Sequence, residues 1–324
     1  MTRLSSTCIR LVVTAVLAAA LSPLLAQNPG PRAGKKAGNL AVGPMKAQPL
    51  ERFNVPAGVK LVPDVAYREG NPMWKLDLAL PDATSSAPRP AVVFIHGGGW
   101  RSGDKRAGYF LQGAIDYAAR GYVGLSINYR LTGEAPFPAS VEDVRCAIRW
   151  LRAHAKDYNV DPERIGGYGN SAGAHLVTHL ALAGPDPMLD GDAPWKEQSS
   201  LLQAACASAT PADFTEAVGA NAARLQSPGS FFHGPVDTLT DRLRMASPIT
   251  FARADAPPIL LIHGDKDTTV RPEQSHKLYA ALKAAGAKDV ALMIIHDVGH
   301  GVFMQHRTIT HPAMEAFFDR TLRR

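Results

Sequence analysis

Three cysteines in 324 residues are the first scarcity of this sequence. A disulfide-framed scaffold needs a far denser set, so the chain is not one of the small folds built on a disulfide framework. Cys8 lies upstream of an apolar N-terminal run, outside the place of a lipid-anchor cysteine. Cys146 and Cys206 could pair in an oxidising compartment or stand as two thiols in or near the core, and spacing alone leaves both open. Neither has an activating context, so neither reads as a nucleophile. Basic clusters are also missing. The formal net charge of +6 is scattered along the chain, which excludes a nucleic-acid footprint and leaves charge to govern solubility and non-specific adhesion. No internal repeat is present, and no apolar run is long enough to span a bilayer: Leu11 to Ala20 is short and is followed by Pro23 without stop-transfer charges. With 46% hydrophobic and 20% charged residues, the chain is neither disordered nor fibrous and can bury a sizeable core.

Residues 1–26 read as a signal peptide: Arg3 and Arg10 precede the apolar run, and Ala26 stands at the cleavage point. Leu24 occupies a position that favours a small residue. Export to the periplasm or medium is expected, with no stable membrane insertion once the leader is removed and a net charge of +4 without its two arginines. Residues 27–52, rich in Pro, Gly, Ala and Lys, read as a flexible leader, and 53–324 as the folded domain. Strands are expected at Val59–Tyr67 and Trp74–Leu80, joined by a Gly-Asn-Pro turn, then at Ala91–Ile95, Tyr122–Tyr129, Arg164–Tyr168, Leu202–Ser208, Ile259–His263 and Val290–Ile295. Helices are expected at Tyr109–Arg120, Ser140–Asp157, Ala172–Leu182, Ser275–Ala285 and His311–Leu322. This alternation argues an α/β fold, a mostly parallel central sheet flanked by helices. Thr215–Arg244 breaks it, being mostly polar or small, and is a candidate lid.

The chemistry-bearing residues cluster in four short motifs. Gly169-Asn170-Ser171-Ala172-Gly173 is a G-x-S-x-G between an expected strand and an expected helix, the context of a nucleophile elbow. A serine held in that tight turn points its oxygen out of the sheet, and side chains two residues to either side would collide with the turn. The following helix aims its free N–H groups at developing negative charge. His96-Gly97-Gly98-Gly99-Trp100 follows the buried Ala91–Ile95 run. Its glycine N–H groups, with that of Ala172, can face an oxyanion. It is not a phosphate cradle, because no Lys-Ser or Lys-Thr pair opens a helix after it. His96 reads as a hydrogen bonder holding this loop, while Trp100 reads equally as a pocket wall or as packing. His263-Gly264-Asp265-Lys266-Asp267 and Gly299-His300-Gly301 supply an acid and a base in the chain order Ser, Asp, His. Asp265 competes with Asp267. His296, His306 and His311 compete with His300, which is favoured by its flanking glycines. His296 and His300 have the spacing of a helical metal pair, but a loop separates them and no third ligand is evident, so no metal and no cofactor are expected.

Together AVVFIHGGGWRSGDK at 91–105, INYRL at 127–131, FPASVEDVRCAIRWLRAHA at 137–155, DPERIGGYGNSAGAHL at 161–176, LLIHGDKD at 260–267 and VGHGVF at 298–303 resemble the HGGG-motif esterase/lipase branch of the α/β-hydrolases. That branch includes the hormone-sensitive-lipase-like carboxylesterases, and the likeness is nearest to bacterial acetyl-xylan and feruloyl esterases. It implies the α/β-hydrolase fold with Ser171 as nucleophile, Asp267 as acid and His300 as base, so it is the resemblance that chooses Asp267 over Asp265. It implies Gly98, Gly99 and Ala172 as oxyanion donors, with Trp100 and Asn170 as candidate substrate contacts. Caps in that branch come from the N-terminus or an insertion; here the N-terminal stretch lacks a helix pattern, so a small or absent cap and an open site are expected. The expected partner is a small-molecule or polysaccharide-linked ester. Amidase, peptidase or arylformamidase chemistry on the same triad is the enzymatic alternative, and a catalytically dead binding module is the non-enzymatic one.

Overall fold

The computed structural model describes residues 45–217 and 227–323. The signal-peptide reading, most of the leader and the centre of the candidate lid lie outside the described residues. Among the described residues eight strands form one sheet: β1 (Val59–Ala66), β2 (Lys75–Pro81), β3 (Arg89–Ile95), β4 (Val123–Ile127), β5 (Val160–Asn170), β6 (Ala204–Ser208), β7 (Ile259–Gly264) and β8 (Val290–Ile295). Their spatial order is β1-β2-β4-β3-β5-β6-β7-β8. β1 pairs with β2 and β2 with β4 in antiparallel register, and all other pairs are parallel. The main helices are α1 (Phe110–Ala119), α2 (Ala139–Ala153), α3 (Ala172–Leu182), α4 (Leu239–Ala246), α5 (Glu273–Ala284) and α6 (Arg307–Leu322).

Strand periodicity divides the core into two layers. Ala91, Val93 and Ile95 of β3 face a layer filled by α2, α3, α4 and α5, while Val92 and Phe94 face the layer of α1 and α6. A strand buried on both faces needs apolar residues at every position, which is why AVVFI shows no alternation. The same division settles the cysteines. Both are buried free thiols, Cys146 in the α2 layer and Cys206 in the α1/α6 layer, with the sheet between them.

The order reverses between β3 and β5, since the chain leaves β3 toward β4 on one side and leaves β5 toward β6 on the other. Loops at the carboxyl ends of these two strands therefore diverge and open a crevice. The HGGGW loop follows β3, and the G-x-S-x-G turn follows β5.

Several boundaries differ from expectation. β5 begins at Val160 because Val160 pairs with Arg89 ahead of an irregularity in register that absorbs Asp161 and Pro162. α2 stops at Ala153, and a turn carrying Asn159 at φ 53° leads into β5. α6 starts at Arg307 and carries Pro312 inside it. The leader expected to be flexible to residue 52 is packed from Met45: Met45 and Leu50 rest on the α1/α6 layer, and the Gln48 N–H donates to the Arg106 carbonyl at 3.2 Å. These half-buried apolar side chains cover part of that layer that would otherwise meet water. The described part of Thr215–Arg244 is also not purely polar packing. Phe231 and Phe232 are buried in the core, and Arg242 donates to the carbonyls of Phe232 and Pro235, each at 2.6 Å.

Candidate active site

Ser171 stands between the last residue of β5 and the first of α3 with φ 56° and ψ −120°, a conformation that L-residues adopt only under constraint. Glycine supplies the room. A Cβ on Gly169 would lie 2.2 Å from the Gly173 carbonyl oxygen, and one on Gly173 would lie 2.0 Å from that of Ile95. The turn is anchored from both sides: the Ser171 N–H donates to Ser208 O at 2.9 Å, and the His175 N–H donates to Ser171 O at 3.0 Å. The Asn170 amide donates to Ser208 Oγ at 3.0 Å, so this candidate substrate contact ties the elbow to β6. Ala172 opens α3 beside Ser171, where its N–H is among the unpaired helix N-terminal donors.

The loop after β3 closes against this elbow. A Cβ on Gly97 would come within 2.7 Å of the Asn170 carbonyl oxygen. Gly98, Gly99 and Trp100 all have positive φ, at 107°, 61° and 58°, and a Cβ on Gly98 would sit 1.9 Å from Ser102 O. His96 holds the loop as its sequence position suggested. Its Nδ1–H donates to the Gly97 carbonyl at 2.8 Å, its ring stacks on Tyr129 at 4.3 Å, and Tyr129 Oη donates to the His96 carbonyl at 2.9 Å. Burial pushes the His96 pKa down to about 4, which keeps the ring neutral.

A charged network that sequence reasoning missed secures the far end of the same loop. Asp77 is fully buried on β2, with Lys105 Nζ at 2.9 Å and Arg106 Nε at 2.7 Å, and both cations also reach Asp64. Asn128 accepts from the Lys105 N–H at 2.6 Å and donates to Asp104 at 3.0 Å. The available signal was an aspartate between leucines in the strand LDLAL, an inward position where a carboxylate survives only with partners.

The candidate acid and base stand after β7 and β8. His300 Nδ1–H donates to Asp267 Oδ2 at 2.8 Å, while Asp267 Oδ1 accepts from the N–H groups of Thr269 and Val270 at 2.9 and 3.0 Å. His263 Nε2–H lies 2.9 Å from Val270 O and 3.3 Å from Asp267 Oδ2, and Ser275 Oγ donates to its Nδ1 at 2.6 Å. Burial opposes the charged form of Asp267, but hydrogen bonds from His263 and His300 outweigh it and hold the carboxyl far below its ordinary range. Asp265 turns elsewhere, accepting from His296 Nδ1–H at 3.0 Å and from the Asp297 N–H at 2.8 Å. Geometry thus distinguishes the two carboxylates, and His296 and His300 serve different ones. His311 packs on Tyr109 and Phe303 in the α1/α6 layer, and His306 lies at the start of α6. Gly264 lets the two loops meet, since a Cβ there would come within 2.2 Å of Val298 O. Among the described residues Ser171 and His300 form no hydrogen bond, a contact that in unliganded sites often tightens only with substrate.

An aromatic wall borders the HGGGW loop. Trp100 stacks on Phe231 at 4.3 Å and meets Phe214 edge-on at 5.8 Å, so these contacts are packing. Phe214 and Phe231 lie in the irregular stretch after β6, and no local pattern announced them. Two hollows of about 400 Å³, one between α1 and α6 and one beside α2, are lined by none of Ser171, Asp267 and His300.

Comparison with known proteins gives the family. The BD-FAE family pattern matches residues 76–282, which takes in the HGGGW loop, the elbow and Asp267. Esterase LipQ of Mycobacterium tuberculosis is 30% identical over 261 residues, covering 79% of this chain, and the chain spans only 61% of LipQ's length. Rabbit (Oryctolagus cuniculus) arylacetamide deacetylase is 40% identical over 105 residues, 32% of this chain and 26% of its own. Among solved structures, a truncated carbohydrate esterase from gut microbiota superposes with a TM-score of 0.71 at 26% identity, covering 86% of this chain and all of the other. A strained serine at the switch point, a glycine loop packed against it and a family match that runs through both lead to one assignment: this chain belongs to the BD-FAE family, within the α/β-hydrolase esterases.

Proposed function

We propose that this protein is an exported, cofactor-free carboxylic ester hydrolase that works through an acyl-enzyme and removes acetyl, feruloyl or similar short or aromatic acyl groups from carbohydrate. The observation that carries the reading is a constrained Ser171, φ 56°, after β5 together with a His300–Asp267 hydrogen bond of 2.8 Å at the ends of β7 and β8 of the same sheet. Ser171 Oγ attacks the ester carbonyl carbon and His300 Nε2 takes its proton. The oxyanion is received by the N–H groups of Gly98, Gly99 and Ala172. His300 then returns the proton to the departing alcohol, leaving acyl-Ser171, and a water repeats the sequence to release the acid. Asp267 stays ionised throughout; it fixes the Nδ1–H tautomer and stabilises the imidazolium.

The carbohydrate reading is supported by the likeness to a carbohydrate esterase and by the signal-peptide pattern of residues 1–26. Amide cleavage is the second reading, favoured by the local likeness to arylacetamide deacetylase. The test runs wild type and Ser171→Ala side by side on p-nitrophenyl acetate through decanoate, methyl ferulate, acetylated xylan, an aryl acetamide and an aminoacyl p-nitroanilide. Serine-dependent release of acetate or ferulate from the carbohydrate esters, with amides untouched, is expected. Cleavage of amides alone would replace the ester reading, and full activity of Ser171→Ala would remove Ser171 from the nucleophile role.

A further inference from the structure

His175 lies one helical turn after Ser171, wholly buried, and touches neither end of the Asp267–His300 pair. Its two ring nitrogens are both engaged, and the partners decide which one carries the proton. Nε2 is 2.7 Å from the carbonyl oxygen of Ala246, the last residue of α4. A carbonyl can only accept, so Nε2 is protonated. Nδ1 is 3.2 Å from Trp100 Nε1. An indole N–H can only donate, so Nδ1 offers its lone pair. The neutral Nε2–H tautomer satisfies both at once, and burial keeps the ring neutral by pushing its pKa down to about 4. One turn further along α3, His179 Nε2 lies 3.0 Å from Met245 O, so α3 also caps the orphan carbonyls at the end of α4.

Trp100 needs such a tether. It is a bulky residue at φ 58°, third in a run of left-handed residues with Gly98 and Gly99. For a side chain of this size that backbone is strained and persists only when its surroundings hold it. Its ring is clamped by Phe231, and among the described residues its only side-chain hydrogen bond is the one to His175.

We infer that His175 is a positioning residue for the oxyanion loop: through Trp100 it holds Gly98 and Gly99 in their left-handed backbone, and through Ala246 it fastens that loop to α4 and the segment carrying Phe231. This inference rests on the proposed ester chemistry and assigns the relay that shapes its oxyanion site.

Two isosteres separate the arms of the relay. In His175→Asn the amide oxygen falls near the position of Nδ1 and can still accept from Trp100. In His175→Gln the amide nitrogen falls near Nε2 and can still donate to Ala246 O, while the Trp100 acceptor is lost. Trp100→Phe keeps the ring on Phe231 and removes only the N–H. On p-nitrophenyl acetate, His175→Gln and Trp100→Phe should each lower kcat by about three- to tenfold with KM little changed, short of the hundredfold or more that follows loss of a whole oxyanion donor. His175→Asn should retain most of kcat, and the Trp100→Phe/His175→Gln double variant should be no slower than either single one. Wild-type kcat in His175→Gln, a loss expressed only in KM, or multiplying losses in the double variant would overturn the relay. Should His175→Gln fail to fold, by near-ultraviolet circular dichroism, Trp100→Phe carries the test: an unchanged kcat there overturns the proposal. Turnover by wild type that Ser171→Ala abolishes keeps the ester reading intact whichever way the His175 variants fall.

Discussion

At the scale of single residues, two aspartates separated by one lysine do different work because their carboxylates point to different neighbours. Asp267 meets His300 and two backbone N–H groups, and Asp265 meets His296 and Asp297. Asp267→Asn keeps an oxygen for Thr269 and Val270 but turns a donor toward His300, forcing the imidazole into the wrong tautomer. A loss of roughly ten-thousandfold in kcat is expected. Asp265→Asn should stay within about threefold of wild type, since the exposed His296 contact carries little energy. Steady-state kinetics on p-nitrophenyl acetate check both, and equal losses would mean that the carboxylates share the role. The sequence offered both residues and could not choose between them on physical grounds, because the choice depends on where the turn after β8 lands. The glycines of the elbow are the opposite case. Gly169 and Gly173 are required by contacts within the same turn or with the adjacent β3, so the pentapeptide alone announced them.

At the scale of elements, the loops that carry the candidate site are held by interactions that local pattern does not reveal. The HGGGW loop returns to the sheet through Lys105 and Arg106 on buried Asp77. Asp77→Ala would leave two cations without their central partner, which for a buried network costs about 3–5 kcal/mol. Urea unfolding should show that drop in midpoint, and a midpoint within error of wild type would mean Asp64 alone suffices. The stretch after β6 shows the same dependence on distance. It reads as polar and irregular, yet Phe214 and Phe231 emerge from it to wall the loop after β3. Their partners are more than a hundred residues earlier, so no window of neighbouring residues contains the signal.

At the scale of the whole molecule, three buried histidines tie stability to pH. His96 and His175 are pushed down to about 4 and His179 to about 3, each chiefly by burial. In the unfolded chain a histidine binds its proton near pH 6.5. Between that value and the folded values the unfolded state holds more protons, so stability is complete above about pH 6.5 and falls as pH drops toward 4. By pH 5 each histidine should remove on the order of 2 kcal/mol. Urea midpoints at pH 7.5 and pH 5 test this: a clearly lower midpoint at pH 5 is expected, and equal midpoints would mean that these rings are protonated in the folded protein. The depressed carboxyl of Asp267 adds to the loss only below about pH 4, as its ordinary range is entered from above.

Short-range steric and solvation rules are written directly into neighbouring residues. An apolar run with polar ends makes a buried strand, glycines two residues either side of a serine make a sharp turn, and three glycines after a strand make a loop whose N–H groups are bare. These readings gave the α/β architecture and the position of Ser171 on local grounds. Long-range contacts set the remainder: that Asp267 rather than Asp265 reaches His300, that Cys146 and Cys206 lie on opposite faces of the sheet, that Met45 and Leu50 rest on the α1/α6 layer, and that His175 joins Trp100 to α4. Each of these depends on which distant segments the sheet order brings side by side. A carboxylate, thiol or imidazole takes its role from the partner it meets, and the chain supplies that partner only once it has folded.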